Sequence, residues 1–444
     1  MRAAILAAWA CFLTLTPYCV APAHGETLQQ AVAQALKTNP DVLVDLARRN
    51  ATGEGLEQSR AGYLPRIDLT LGRGRQHSDN ATTQATYGGS IGQISYERSL
   101  TLTQMLFDGY ATSNEVERNI ARTDSASLKL EATSEQVALR AVEAYLEVLR
   151  NQEILALTQD NLVVHQRTYD QIKLRAASGV GRKADLDQIE ARLALARSNL
   201  TAAQANLKVA EINYRLVIGS KPSVPIRPNP PDPSLIPKTP EAAIKLALAN
   251  NPLLKSAQAD IDAANAQYQV AKSVMYPTLS LEIGANNNTL VSPVDVTPDS
   301  SRSAMVRLRY NLFKGSADTA HIAETSYLVQ EAEAAMQRTE RQLEQSVRLS
   351  WNAYTSSRER LPFLSKHAEA SRMTRDAYVM QFSMGQRTLL DVLDTENEAF
   401  TASSNYLNGQ YVELFARYRV LADIGLLLDT LGVHHLAETK VSDR

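Results

Sequence analysis

Two aspartates set one helical turn apart are the residues with the most chemical potential in this chain. In Phe382-Ser383-Met384-Gly385-Gln386-Arg387-Thr388-Leu389-Leu390-Asp391-Val392-Leu393-Asp394, the spacing puts Asp391 and Asp394 on one face of a helix. If several copies turned that face inward, the carboxylates would form two stacked rings, an arrangement that selects cations. Crowding in such rings would raise their pKa values. The same spacing also fits the start of a helix, where acids are favoured and would be ordinary solvated side chains. The residues alone leave both readings open.

Little else is equipped for chemistry. No nucleophile, base and orienting group come together in a recognisable pattern, and no glycine-rich phosphate loop follows a strand pattern. His24, His77, His165, His321 and His367 stand apart, and the adjacent pair His434-His435 reads as solvated surface. Gly179-Val180-Gly181 looks like a fragment of a nucleotide-binding fingerprint, but it follows a helical pattern and reads as a helix-to-helix turn. No catalytic residue, cofactor or metal is therefore expected, and a net charge of -2 gives no reason to expect nucleic acid as a partner.

The elements that must position Asp391 and Asp394 are written twice. Leu36, Asn39-Pro40, Ala47, Leu64-Pro65, Leu69 and Gly72 recur as Leu248, Asn251-Pro252, Ala259, Tyr276-Pro277, Leu281 and Gly284. Leu106-Phe107-Asp108-Gly109 recurs as Leu312-Phe313-Lys314-Gly315. A period of half the chain is far longer than the ~20 to 50 residues of a solenoid unit, so two copies of one module should build one pseudo-symmetric body. The expected organisation is a signal peptide over residues 1–25, a first repeat over 26–219, a proline-rich linker over 220–238, a second repeat over 239–430, and a tail over 431–444.

The leader has Arg2, an apolar run and then small residues around Ala21-Pro22-Ala23, the layout of a secretory signal. Both cysteines, Cys11 and Cys19, fall inside it, and the bulky Tyr18 argues against lipid attachment at Cys19. No later segment reads as a membrane-spanning helix. Each repeat opens with helical periodicity, and Asn-Pro then ends one helix and starts another, since Asn caps and Pro fits the first turn.

After Pro65 and Pro277 the apolar period changes from 3.6 to 2. Ile67, Leu69 and Leu71, then Leu100 and Leu102, alternate with polar residues. So do Leu279, Leu281 and Ile283, then Val306, Leu308, Tyr310 and Leu312. This predicts two hairpins, over residues 62–107 and 276–313, with exposed polar loops at Gln76 to Gln93 and Ala285 to Ser303. Aromatic residues such as Tyr63, Tyr110, Tyr276 and Phe313 flank the apolar alternation, as an interfacial girdle would.

Each hairpin leads into a very long helix, from Ala111 to about Ala177 and from Ser316 to about Gln381, on the order of 100 Å. A kink is expected at Pro362. Return helices follow, the first with a heptad seam through Leu186, Ile189, Leu193 and Ala196 and onward to Val217.

Four strands cannot close a membrane barrel, since the smallest have about eight, and an open edge in lipid leaves backbone groups unpaired. Several chains must share one barrel, and three copies would give twelve strands. The fold class is thus mainly α with a small membrane β part. A soluble periplasmic coiled-coil adaptor is the remote alternative, and the alternating strands argue against it.

Over essentially the whole mature sequence these features resemble the TolC family of outer-membrane channel proteins. The resemblance implies a homotrimer in outer-membrane lipid: a twelve-stranded barrel continuous with a helical tunnel across the periplasm of a Gram-negative bacterium. It implies that Asp391 and Asp394 ring the pore constriction and that Asp185, Arg387 and Phe382 sit at gate-latch positions. It also implies that the turns at Gly179, Gly181 and Gly385 dock a periplasmic adaptor, in partnership with an inner-membrane ABC or RND-type transporter.

Two departures bear on the latch. Phe382 stands where the best-known member has tyrosine, so no hydroxyl can bond Asp185, and Ala184 offers no side-chain acceptor beside it. The run from Arg387 to Glu398 is similar to the branch serving type I protein secretion, with multidrug or metal efflux as the alternative.

Overall fold

The computed structural model describes residues 25–292 and 296–441. The signal peptide reading falls almost wholly on residues outside that range, as do the last three residues of the tail. In chain order the first half comprises α1 (Leu28–Thr38), α2 (Pro40–Arg60), β1 (Arg66–Ser78), a short α3 (Ala81–Tyr87), β2 (Ile91–Phe107), α4 (Ala111–Ala177) and α5 (Lys183–Ile218). The second half comprises α6 (Pro240–Asn250), α7 (Pro252–Lys272), β3 (Thr278–Val291), β4 (Val296–Arg309), α8 (Ala317–Ser383), α9 (Leu389–Asp423) and a short α10 (Leu427–Leu431).

The Asn-Pro pairs do more than punctuate. The Asn39 side chain accepts the Asp41 amide at 3.0 Å and so caps α2, while its amide donates to the Val217 carbonyl of α5 at 3.2 Å. Asn251 repeats both bonds, accepting from Leu253 at 3.0 Å and donating to the Asp423 carbonyl of α9 at 3.2 Å. Each asparagine therefore splices two helices end to end against one long strut. Along α4, α2 covers one part through Arg140–Asp41 and Thr133–Asp45, both 2.7 Å. Farther on, α5 takes over, with Arg197 donating to Gln166 at 3.1 Å. Both struts, α4 and α8, are 67 residues long. Helix α8 runs through Pro362 without a break.

At one end the strands form a single antiparallel sheet in the order β1-β2-β3-β4. The two hairpins thus lie side by side, joined through β2 and β3, and β1 and β4 are its edges. Leu69 faces Leu100, Leu102 faces Ile283 and Leu281 faces Val306, which gathers the apolar positions on one exposed face.

The strands differ from expectation in length. They span 13, 17, 14 and 14 residues: most of Ala285 to Ser303 is ladder rather than loop, and the other expected loop, Gln76 to Gln93, holds the ends of β1 and β2 with the short α3 between them. Backbone pairing does not require apolar side chains, so the ladder continues where the sequence turns polar on both faces. Tyr310 and Leu312, expected to extend β4, lie beyond its end, where Asn311 accepts the Phe313 amide at 3.1 Å and turns the chain. Both strand-to-helix junctions use consecutive positive φ angles, Gly109 and Tyr110 in one, Gly315 and Ser316 in the other.

The main core is a belt around the middle of α4, where α1, α10 and the ends of α5 and α9 converge on residues such as Val142, Tyr145, Tyr214, Leu421 and Leu428. The linker is docked against this belt. The Tyr145 hydroxyl lies 2.6 Å from the carbonyl oxygens of both Glu26 and Ile226 and accepts the Ile226 amide at 2.9 Å. Its one proton serves one carbonyl at a time.

Glu135 on α4 is buried and accepts the Leu428 amide at 3.3 Å through Oε1, while Oε2 has no partner. Burial first, then the nearby Glu131 and Asp429, push its pKa up to about 8, against the pull of the Leu428 amide. His434 is exposed, but His435, expected in solvent with it, is half-buried between Asp429 at 3.0 Å and Glu131 at 3.6 Å. The tail folds back onto α4, a long-range contact with no local signature.

Candidate functional site

The end of the molecule opposite the sheet is built from two helix-to-helix turns. In the first, Gly179 has φ +76° and the amides of Val180 and Gly181 both reach back to the Arg175 carbonyl, at 3.2 and 2.9 Å. A Cβ on Gly181 would fall 2.7 Å from the Ala176 amide nitrogen, so only glycine fits. In the second, Gly385 has φ +73° and Gln386 reaches back to the Gln381 carbonyl at 2.9 Å. Leu174 and Val180 at the first turn are 73% and 83% exposed, and Met384 at the second is 58% exposed, so the extreme end is apolar and uncovered.

Behind the turns, a small core ties the two helical pairs together. Ile172 and Ile189 from α4 and α5 are buried against Leu389 and Leu393 from α9, with Tyr169, Leu186 and Phe382 around them. The phenyl ring of Phe382, lacking a hydroxyl, packs here, and the Arg175 guanidinium lies 5.3 Å from its centre. Leu389 and Leu393 occupy the first turns of α9, so this core fixes the orientation of the helix that carries both aspartates.

Asp391 is the third residue of α9 and closes a capping box with Thr388. The Thr388 hydroxyl accepts the Asp391 amide at 3.2 Å, while the Thr388 amide and hydroxyl donate to Asp391 Oδ2 at 3.1 and 2.8 Å. The Thr388 amide bond, then its hydroxyl and the Arg387 charge, hold the Asp391 carboxyl below its usual range. Within one chain this is the helix-start reading of Asp391, and its pKa moves opposite to the rise expected from crowding. Asp394 lies one turn on and is exposed.

Asp394 has a partner that sequence reasoning missed. Arg192 of α5 reaches it at 3.0 Å, an ion pair between the two helical pairs. The only cue was that Arg192 lies two turns along α5 from Asp185; its partner is 202 residues away in sequence. Deeper in α9, burial pushes the Glu396 carboxyl up, with Arg375 at 3.8 Å pulling the other way.

The expected latch residues are not joined within the chain. The Arg387 guanidinium stacks on Tyr378 at 4.0 Å and donates to Gln381 at 2.9 Å, both on α8. Asp185 sits in the first turn of α5. Among the described residues, no cluster of three or more metal-ligating side chains occurs, and no helix is long and apolar enough to cross a membrane.

The family described as outer membrane efflux protein matches residues 31–220 and 243–420. The outer membrane efflux protein BepC of Brucella suis is 24% identical, covering 93% of this chain and 88% of its own length. The alkaline protease secretion protein AprF of Pseudomonas aeruginosa is 22% identical, covering 88% and 83%. Among solved structures, the CmeC outer membrane channel of Campylobacter jejuni superposes with a TM-score of 0.76 at 16% identity, covering 90% of this chain and 86% of that one.

Proposed function

The chain belongs to the outer membrane efflux protein family, and from that premise we propose that three copies form the exit duct of a type I protein secretion system. It is a channel protein of the outer membrane that extends into the periplasm. The observation that carries the proposal is a four-stranded sheet with two free edges at one end and a helical tip holding Asp391 and Asp394 at the other. Edge strands in lipid must pair, and a closed ring of copies satisfies both edges and lines a continuous tunnel. The apolar turns at Gly179, Gly181 and Gly385 are the surface we assign to a periplasmic adaptor, which links the duct to an inner-membrane transporter. In the ring, Asp391 and Asp394 form the constriction, and Arg387 latches the tip from one copy to the next, toward Asp185.

Similarity to AprF and the stretch from Arg387 to Glu398 favour a protein cargo. Efflux of small molecules is the second reading, favoured by similarity to BepC. Deleting the gene separates them: loss of a secreted protein with unchanged drug tolerance supports secretion, and the reverse supports efflux. For the pore itself, the expected result is cation-preferring conductance of the purified protein in a planar bilayer that weakens in Asp391→Asn with Asp394→Asn. Absence of conductance would end the channel assignment.

A further inference from the structure

The exposed face of the sheet carries a second ordered feature just past its apolar band. Directly opposed residues in an antiparallel ladder point to the same side, so the register assigns every strand residue to a face. On the face of Leu69 and Leu71, the next outward position toward the hairpin ends is Arg73 on β1. On β2 the residue beyond Leu100 is Arg98, and on β4 the residue beyond Ala304 is Arg302. Only β3 differs, with Asn287 beyond Ala285. Arg75 adds a second guanidinium on β1, and the Arg73 guanidinium lies 5.3 Å from the ring centre of Tyr96, the residue opposite it.

Charge is sorted by face. The four carboxylates of the strands, Asp68, Glu97, Glu282 and Asp299, all point to the opposite side. Arginines on that side are paired with carboxylates: Arg66 with Asp68 at 2.8 Å, and Arg307 and Arg309 both with Glu282 at 2.8 and 2.7 Å. Arg73, Arg75, Arg98 and Arg302 are exposed and have no carboxylate partner among the described residues. The apolar band climbs across the sheet from β4 to β1, as tilted strands require if its edge is to stay at one depth, and the arginines follow its upper edge. Guanidinium is weakly hydrated and matches phosphate oxygens in pairs, and phosphate is the anion found at that level of a membrane.

We infer that Arg73, Arg75, Arg98 and Arg302 form a phosphate-binding band for the headgroups of a phosphorylated lipid in the outer leaflet. The inference rests on the shared-barrel reading above. The test uses the full-length protein in zwitterionic detergent, titrated with diphosphoryl lipid A, its dephosphorylated form, and inorganic phosphate. The wild type should bind the diphosphoryl lipid more tightly than the dephosphorylated one. The Arg→Gln variant at all four positions should bind it at least about tenfold more weakly, while Arg66→Gln keeps wild-type binding. Equal binding of both lipids, or undiminished binding by the fourfold variant, overturns the inference. Displacement by inorganic phosphate at matched concentration overturns the lipid assignment.

Conductance in zwitterionic bilayers separates this from the channel reading. Normal pores in the fourfold variant show that it folds and assembles, so its loss of lipid binding supports the band. Pores in neither protein overturn the barrel, and the band with it.

Discussion

Asp391 serves a helix start and, in our proposal, a pore, and these roles make different demands on its charge. The Thr388 bonds keep it ionised to lower pH than a free aspartate, which suits a ring meant to stay negative. Thr388→Ala should weaken the start of α9 by about 1 kcal/mol. It should also return the Asp391 carboxyl part of the way toward its ordinary range, since the hydroxyl bond is lost while the residue-388 amide that lowers it most remains; acid should then reduce cation preference at slightly higher pH than in the wild type, which bilayer recordings across an acid titration measure. The Arg192–Asp394 pair is partly exposed, with side chains 30% and 58% accessible, which limits it to about 0.2 to 1 kcal/mol. Arg192→Gln should cost no more than that in stability, and adding Asp394→Asn should cost little further, a coupling that a double-mutant cycle in denaturant unfolding would read. Arg387→Ser should increase leakage if the latch runs between copies; unchanged conductance would remove Arg387 from the gate. That Asp391 fits a helix start was legible in advance because the pattern is local; the box with Thr388 came from the structure. Arg192 was not legible, because ion pairs across 200 residues leave no pattern in a single sequence.

The long helices were legible because glycine and Asn-Pro turns mark their boundaries, whereas the short α3 falls in a stretch expected as loop, and the strands were less legible because a ladder does not depend on side-chain polarity. The limits of α4 and α8 fall within two residues of expectation, fixed by glycine turns at both ends. What no local pattern could show is that Asn39 and Asn251 each bond across a splice. Asn39→Ala loses a cap and a cross-helix bond together, so it should cost about 1 to 3 kcal/mol, more than Thr239→Ala, which loses the cap of α6 alone. Denaturant unfolding of the two variants gives the comparison. Pro362 lies exposed within α8 and denies the Arg358 carbonyl its helical donor. Pro362→Ala should therefore stabilise the protein, by up to about 3 kcal/mol; a neutral result would mean that the helix has already accommodated the proline at no cost.

For the whole molecule, Glu135 sets a pH dependence. Its folded pKa of about 8 lies above the ordinary 4.5, so the folded state holds a proton that the unfolded state has lost throughout that window. The sign is that stability is greatest below 4.5 and falls as pH rises through 8, with a limiting slope of about 1.4 kcal/mol per pH unit from this one group. Glu135→Gln keeps an acceptor for Leu428 and should flatten the decline, so that the variant melts above the wild type at pH 8 and close to it at pH 5. Equal melting at both pH values would show that Glu135 is not the group responsible.

The sheet order has a genetic consequence. Because β2 and β3 pair within the chain, a ring can close only by joining β4 of one copy to β1 of the next, and every copy is needed on both sides. A chain with one edge blocked, for instance by a proline placed in the apolar part of β4 between Ala304 and Leu308, would still dock through its sound edge and leave the ring unclosed. Such an allele should be dominant over the wild type when both are expressed, whereas a chain that fails to fold should be recessive.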